Sequence, residues 1–97
     1  MLEEIINNLS LHHYLTTFEK GKTIFLEGDP SQDLYILVSG RLDVLKGNKE
    51  LSEISEIGTL FGEIPLLLDT KRTATVKTRN EAKTLRIPKE DVASFLN

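Results

Sequence analysis

Residues 61–76, FGEIPLLLDTKRTATV, limit what this chain can fold into more than any other part of the sequence. The segment begins with an apolar residue, a glycine and an acid, continues through a short apolar run, and turns before an arginine and a β-favouring tail. If a strand ends at Gly62 and a helical turn begins near Glu63, the first amides of that turn are unpaired and converge on one point, which favours an anion. The pattern therefore predicts an anion-binding segment on which Arg72 closes from the other side.

The two charged side chains of this segment restrict the kind of anion. A guanidinium pairs bidentately with a phosphate or a carboxylate, whereas a carboxylate only accepts hydrogen bonds and repels other anions. Arg72 therefore suits a phosphate, while Glu63 requires a hydroxyl. A ribose phosphate offers both groups, and a cyclic one holds them at one end of a compact body.

Two segments carry a resemblance to a known family. Residues 61–76 closely resemble the phosphate-binding cassette of cyclic nucleotide-binding domains, whose pattern is roughly F-G-E-[LI]-x-L-[LI], a few variable residues and R-[STA]-A-[TS]-V. Residues 25–45, FLEGDPSQDLYILVSGRLDVL, are similar to the early strands of the same family, in which an E-G-D turn precedes a hairpin. The resemblance extends over nearly the whole chain, and the family includes the sensor domains of kinase regulatory subunits, gated channels and the catabolite activator protein.

The resemblance implies a mainly β fold, namely a double-stranded β-helix or jelly-roll barrel with flanking helices. We expect a single domain over residues 1–97. It would comprise an N-terminal helix at 1–15, a barrel at 18–88 that contains the cassette at 61–76, and a C-terminal helix at 89–96. Family members that switch usually continue into a longer helix that covers the base, and we expect this lid helix to be absent here.

The resemblance also implies the ligand and its contacts. The ligand would be cAMP or cGMP, with the cassette arginine on the exocyclic phosphate oxygens and the cassette glutamate on the ribose hydroxyl. Taken alone, a first-turn glutamate and an arginine after a turn are also ordinary structural features. With no catalytic, metal-ligating or cofactor residues expected, the predicted ligand-binding set is Phe61, Gly62, Glu63, Ile64, Arg72, Thr73 and Ala74.

Local patterns predict the secondary structure. Leu2, Ile5, Ile6 and Leu9 have the spacing of an amphipathic helix. We expect Leu66 and Leu67 to be core residues and Pro88 to begin the last helix. Runs of apolar and β-branched residues predict strands at 22–26, 34–38, 41–46, 74–78 and 84–87, with a bent strand at 51–57 and with 34–38 and 41–46 forming a hairpin.

Composition narrows the function classes. The net charge of −3 gives no electrostatic footprint for nucleic acid, so an anion must be recognised locally. The chain has no cysteine, which excludes disulfides, a thiol nucleophile and thiolate metal sites. No secretory signal or membrane span is apparent. We therefore expect a cytoplasmic, non-enzymatic regulatory domain without membrane or nucleic-acid contacts, whose effector domain or homodimer partner lies outside the chain.

Three other functions remain open at this stage. A barrel of the same fold could act in protein interaction or oligomerisation without a ligand. A cupin-type metal enzyme would need about three histidine or carboxylate ligands from strands, but His12 and His13 are adjacent in the N-terminal helical region. A transcription regulator of the catabolite-activator type would need a helix-turn-helix, which these residues do not contain.

Overall fold

Residues 9–96 are described by the computed structural model, and they form two four-stranded antiparallel sheets with short helices. The helices are a 3-10 helix at Leu9–Tyr14, α1 at Glu63–Leu68, a 3-10 helix at Lys89–Asp91 and α2 at Val92–Leu96. The strands are β1 Leu15–Phe18, β2 Thr23–Phe25, β3 Leu34–Ser39, β4 Leu42–Lys46, β5 Lys49–Ile54, β6 Leu60–Phe61, β7 Thr75–Thr78 and β8 Ala82–Ile87. The predicted mainly β, jelly-roll class is confirmed.

Strand order shows how distant parts of the chain are brought together. The first sheet has the order β1-β8-β3-β6, and the second has the order β2-β7-β4-β5. In the described part of the chain no strand pair joins the two sheets, so the barrel is not closed. The layout places β6 and β7, which flank the cassette, in different sheets.

The connection between β3 and β4 differs from the predicted hairpin. β3 pairs with β6 and β8, whereas β4 pairs with β5 and β7, so the short connection carries the chain from one sheet to the other. Gly40 adopts a φ of 94° at this point, and a Cβ there would lie 2.5 Å from the carbonyl oxygen of Glu81. The hairpin prediction is therefore wrong here. The following turn at Gly47 does form one, because Lys46 pairs with Lys49 across it.

The core consists of two clusters on opposite faces of β3. Tyr35 and Leu37 belong to one cluster, and Leu34 and Ile36 belong to the other. Because both faces of β3 are buried, the strand is almost continuously apolar, as is typical of a central strand. The first cluster, called the inner cluster, also contains Phe25, Leu42, Phe61, Val76 and Ala82. The second, the outer cluster, also contains Leu85, Ile87 and Val92, against which Tyr14, Val38, Leu66 and Phe95 pack.

Four local predictions need correction or fall outside the described range. Most of the expected N-terminal helix precedes residue 9, and residues 9–14 form a 3-10 helix followed directly by β1, which was not predicted. Pro88 has extended backbone angles and precedes the last helices rather than beginning one. Leu67 is 73% exposed and is not a core residue, whereas Leu66 packs on the outer cluster. The bent strand predicted at 51–57 begins and ends earlier in the chain, at Lys49–Ile54.

Candidate functional site

The junction between β6 and α1 forms one side of the site. β6 ends at Phe61, Gly62 adopts a left-handed conformation with φ 78°, and α1 begins at Glu63. A Cβ on residue 62 would lie 2.9 Å from Nη1 of Arg72, so glycine is required both by the backbone angle and by close packing. The predicted strand end and helix start are confirmed.

Arg72 forms the other side and is buried, with 3% of its surface exposed. Its guanidinium donates from Nη1 to the carbonyl oxygen of Gly62 at 2.8 Å and from Nη2 to the carbonyl oxygen of Asp33 at 2.9 Å. Its Nε donates to Oγ of Ser31 at 3.1 Å. All three acceptors are uncharged.

Aromatic rings also surround the guanidinium. The central carbon of the Arg72 guanidinium lies 4.1 Å from the centroid of the Phe25 ring and 5.9 Å from that of Tyr35. Burial lowers the pKa of Arg72, and the nearby charges of Asp33 and Asp29 oppose that effect. The group remains a cation at neutral pH because a guanidinium is not deprotonated in proteins. Within residues 9–96, no carboxylate lies within ion-pair distance of it.

A loop before β3 holds the cassette in place; we call residues 29–33 the supporting loop. The amide of Arg72 donates to the carbonyl oxygen of Asp29 at 2.8 Å. Nε2 of Gln32 donates to Oδ1 of Asp69 at 3.1 Å and to the carbonyl oxygen of Thr70 at 3.2 Å. Both the arginine and the turn after α1 are thus anchored to the supporting loop.

A cavity of about 310 Å³ lies between the second sheet and the start of α1. All seven predicted ligand-binding residues line it, so the fold brings together residues from both ends of the cassette. Its other walls are largely apolar and include Phe25, Val44, Ile54, Leu60 and Val76. A mainly apolar cavity with a few convergent polar groups is the usual form of a small-molecule site.

The remaining predicted residues differ in how far they are buried. Glu63 and Ala74 are partly buried, and Ile64 is 43% exposed. Thr73 is exposed, and its carbonyl oxygen accepts a hydrogen bond from Nζ of Lys46 at 3.3 Å. Glu63 lines the cavity, and in the described part of the chain its carboxylate makes no hydrogen bond.

Sequence reasoning missed the residues that support the arginine. Phe25, Ser31 and Asp33 lie far from Arg72 in the chain, and the hydrogen bonds from Arg72 to Ser31 and Asp33 span 41 and 39 residues. The E-G-D turn signal marked the start of the supporting loop, but it gave no information on what the loop contacts.

The described residues lack the features of a metal site and of a membrane span. Within residues 9–96, no group of three or more histidines, cysteines and carboxylates is arranged to hold a metal ion. His12 and His13 lie on the first 3-10 helix, apart from the cavity. Among the described helices, none has the length and apolar character needed to cross a membrane.

Comparison with known proteins assigns the family. The model of the family described as "Cyclic nucleotide-binding domain" matches residues 15–97, which include the cassette and the supporting loop. The chain belongs to this family. Cyclic nucleotide-binding domains of the kinase regulatory type are among its relatives, and the resemblance recognised in the sequence is confirmed.

Similar proteins and similar solved structures support the same family assignment. cGMP-dependent protein kinase 2 from Homo sapiens and from Rattus norvegicus are each 36% identical over 77 residues, covering 79% of this chain and 10% of the kinase. The chain thus spans about a tenth of the length of these curated relatives. A structure of PKAR CBD2 with bound Sp-2Cl-cAMPS matches with a TM-score of 0.78 and 27% identity, over 84% of this chain and 56% of that chain. A mutant regulatory subunit of a cAMP-independent protein kinase A from Trypanosoma brucei, with cAMP in its A site, matches with a TM-score of 0.77 and 28% identity, over 84% of this chain and 30% of that chain.

Proposed function

We propose that this cyclic nucleotide-binding domain binds cAMP or cGMP in the cavity beside Arg72 and acts as a regulatory rather than a catalytic module. The observation that carries the proposal is the buried guanidinium, which has only uncharged acceptors and aromatic rings around it. A desolvated cation without an opposite charge interacts strongly with an anion that reaches it. A phosphate is the anion whose oxygens match the guanidinium fork.

The neighbouring cassette groups complete the contacts with the ligand. Glu63 lines the cavity, and its carboxylate accepts a hydrogen bond from the ribose hydroxyl. Gly62 brings its backbone close to the phosphate, while Thr73 and Ala74 face the ligand from the opposite rim. Phe61 and Ile64 supply apolar contacts. The arrangement requires a hydroxyl beside a phosphate, which is what a cyclic nucleotide provides.

We infer that ligand occupancy is transmitted to the flanking segments through the packing of α1. Leu66 of this cassette helix packs on the outer cluster, where Tyr14 from the first 3-10 helix and Phe95 from α2 also pack. A ligand that moves α1 therefore changes the surroundings of both flanking segments. It shifts their arrangement only by its difference in affinity for the two states.

The setting of this module is proposed by analogy with the relatives. The curated relatives are cGMP-dependent kinases, in which a matching segment makes up a tenth of the length. We infer that the module works in the cytoplasm, that its output is an effector domain or a second copy outside these residues, and that it contacts neither nucleic acid nor membrane itself.

A titration tests the proposal. Ligand at a hundredfold excess over its dissociation constant raises the free energy of unfolding by about 2.7 kcal/mol. We expect cAMP or cGMP, but not the non-cyclic 5′-monophosphates at the same concentration, to raise the melting temperature by several degrees. Calorimetry gives the two dissociation constants and hence the preference between the nucleotides. No shift with either nucleotide at millimolar concentration would contradict the proposal and point to a ligand-free interaction module.

A further inference from the structure

Ser31 is an exposed residue of the supporting loop that makes a contact at a buried site. Its hydroxyl oxygen accepts a hydrogen bond from Nε of Arg72 at 3.1 Å, although that arginine is only 3% exposed. Ser31 is not among the residues that line the cavity. It therefore acts on Arg72 from the side away from the ligand space.

The hydrogen bonds of the guanidinium show what this contact achieves. A guanidinium has five N–H groups in a fixed plane. Three of them point at protein acceptors, namely Nε at Ser31, one N–H of Nη1 at Gly62 and one N–H of Nη2 at Asp33. Each terminal nitrogen keeps one N–H that is not used by the described residues. These two remaining donors belong to the pair of nitrogens that can bind a phosphate bidentately.

Of the three acceptors, the serine hydroxyl is the only one supplied by a side chain. The carbonyl oxygens of Gly62 and Asp33 belong to the backbone and do not change on substitution. The hydroxyl fixes the direction of the Nε–H group, and it therefore fixes the rotation of the guanidinium plane about the Cδ–Nε bond. Without it, Nε has no acceptor among the described residues, and the hydrogen bonds of Nη1 and Nη2 to the two backbone carbonyls alone hold the guanidinium, which weakens the preference for directing both terminal nitrogens at the anion.

We propose that Ser31 is a positioning residue for ligand binding, whose hydroxyl orients Arg72 so that Nη1 and Nη2 face the phosphate of the cyclic nucleotide. The inference rests on the proposed function, since it concerns the geometry of the same site. It adds a residue outside the cassette, contributed by the supporting loop, to the determinants of affinity.

The experiment compares three variants of the chain with the unsubstituted protein. Ser31→Ala removes the hydroxyl, Ser31→Thr retains it, and Ser55→Ala removes an exposed hydroxyl that does not line the cavity. The dissociation constants for cAMP and cGMP are measured by calorimetry. We expect Ser31→Ala to bind about tenfold more weakly, the order of one hydrogen bond to a charged group. Ser31→Thr and Ser55→Ala should bind like the unsubstituted protein.

A spectroscopic measurement separates positioning from a general structural effect. The Nε–H resonance of Arg72 is followed in proton–nitrogen spectra of the ligand-free protein. We expect this resonance to be protected from solvent exchange in the unsubstituted protein and in Ser31→Thr, and to lose protection in Ser31→Ala, with the amide resonances of both sheets unchanged.

The outcomes distinguish this inference from the proposed function. If the unsubstituted protein binds neither nucleotide, the proposed function fails and this inference fails with it. If it binds and Ser31→Ala binds equally well, only the positioning role of Ser31 is overturned. Equal weakening in Ser55→Ala, or no recovery in Ser31→Thr, would also overturn it.

Discussion

Arg72 precedes β7 in the chain and Arg79 follows it directly, and the two side chains have opposite surroundings. Arg79 is 42% exposed in its side chain and forms ion pairs with Asp43, Glu50 and Glu53, the last two at 2.7 Å. Arg72 is buried, and among residues 9–96 its hydrogen-bond acceptors are neutral oxygens and its other neighbours include aromatic rings. Arg79 is matched by carboxylates in direct contact, whereas the carboxylates nearest to Arg72 lie beyond ion-pair distance in the described part of the chain.

The pKa shifts of the two groups express the same difference. The pKa of Arg79 is raised, mainly by its hydrogen bonds to Asp43, whereas burial lowers the pKa of Arg72. Burying a cation without a carboxylate destabilises the fold, because desolvation favours the neutral form. That cost is understandable if the charge is kept for a ligand. Under the proposed function, the arginine that binds the ligand is therefore the one without ion pairs.

The largest expected effect on ligand binding comes from Arg72→Lys, with Arg79→Lys as its comparison. Arg72→Lys keeps a positive charge but loses the planar fork, and we expect it to weaken cyclic nucleotide binding by about 2 to 5 kcal/mol, the scale for breaking a desolvated charge pair. Arg79→Lys is the matched control and should leave the dissociation constant unchanged. Calorimetric titration with cAMP and cGMP measures both. Equal losses in the two variants would remove the functional distinction between the arginines.

An intermediate effect is expected from alanine at two glycines with positive φ. Gly62→Ala places a Cβ 2.9 Å from Nη1 of Arg72, while Gly47→Ala, at φ 61°, meets nothing within 4 Å. Both should lose about 1 kcal/mol or more of unfolding free energy from the left-handed backbone. Only Gly62→Ala should also weaken ligand binding, because it displaces the guanidinium. Chemical denaturation and calorimetry measure the two quantities, and unchanged affinity in Gly62→Ala would show that Arg72 tolerates displacement.

The smallest expected effect concerns the stability of the exposed network in acid. Arg79 lowers the pKa of Asp43 below its ordinary value of 3.8. A carboxylate with a lowered pKa in the folded state stabilises the fold above its unfolded pKa, and this contribution is lost as the pH falls through the folded value. We therefore expect Arg79→Met to melt slightly below the unsubstituted protein at neutral pH, and the difference to begin to shrink below about pH 4 and to vanish once the pH lies below the folded pKa of Asp43. A difference that persisted at low pH would have to come from packing.

The sequence predicted those parts of the fold that depend on local chemistry. Gly62 followed by Glu63 marked the junction of β6 and α1, because a left-handed residue before a helical turn favours glycine. The spacing of the cassette also placed its seven predicted residues around one cavity, although their roles in binding stay predictions.

The parts that could not be predicted depend on contacts between distant residues. β1 is a short edge strand that pairs, among the described strands, with β8. Its four residues include strand-favouring types, but the run is short and directly follows a predicted helix, so its pairing partner decides the assignment. Gly40 signals a turn but not that the chain changes sheets, which is decided by the pairing of β3 with β8 and of β4 with β7. The contact of Ser31 with Arg72 spans 41 residues and leaves no mark on either local pattern.

The hydrogen bond from the hydroxyl of Tyr14 to Oδ2 of Asp91, at 2.9 Å, joins residues 77 positions apart near the two ends of the described range. The edge-to-face contact of Tyr14 with Phe95 strengthens this junction. A unit whose entry and exit lie side by side can be inserted into a longer polypeptide without separating the segments before and after it. Because Tyr14 holds the two ends of the described range together, a displacement of this one residue changes the distance between them.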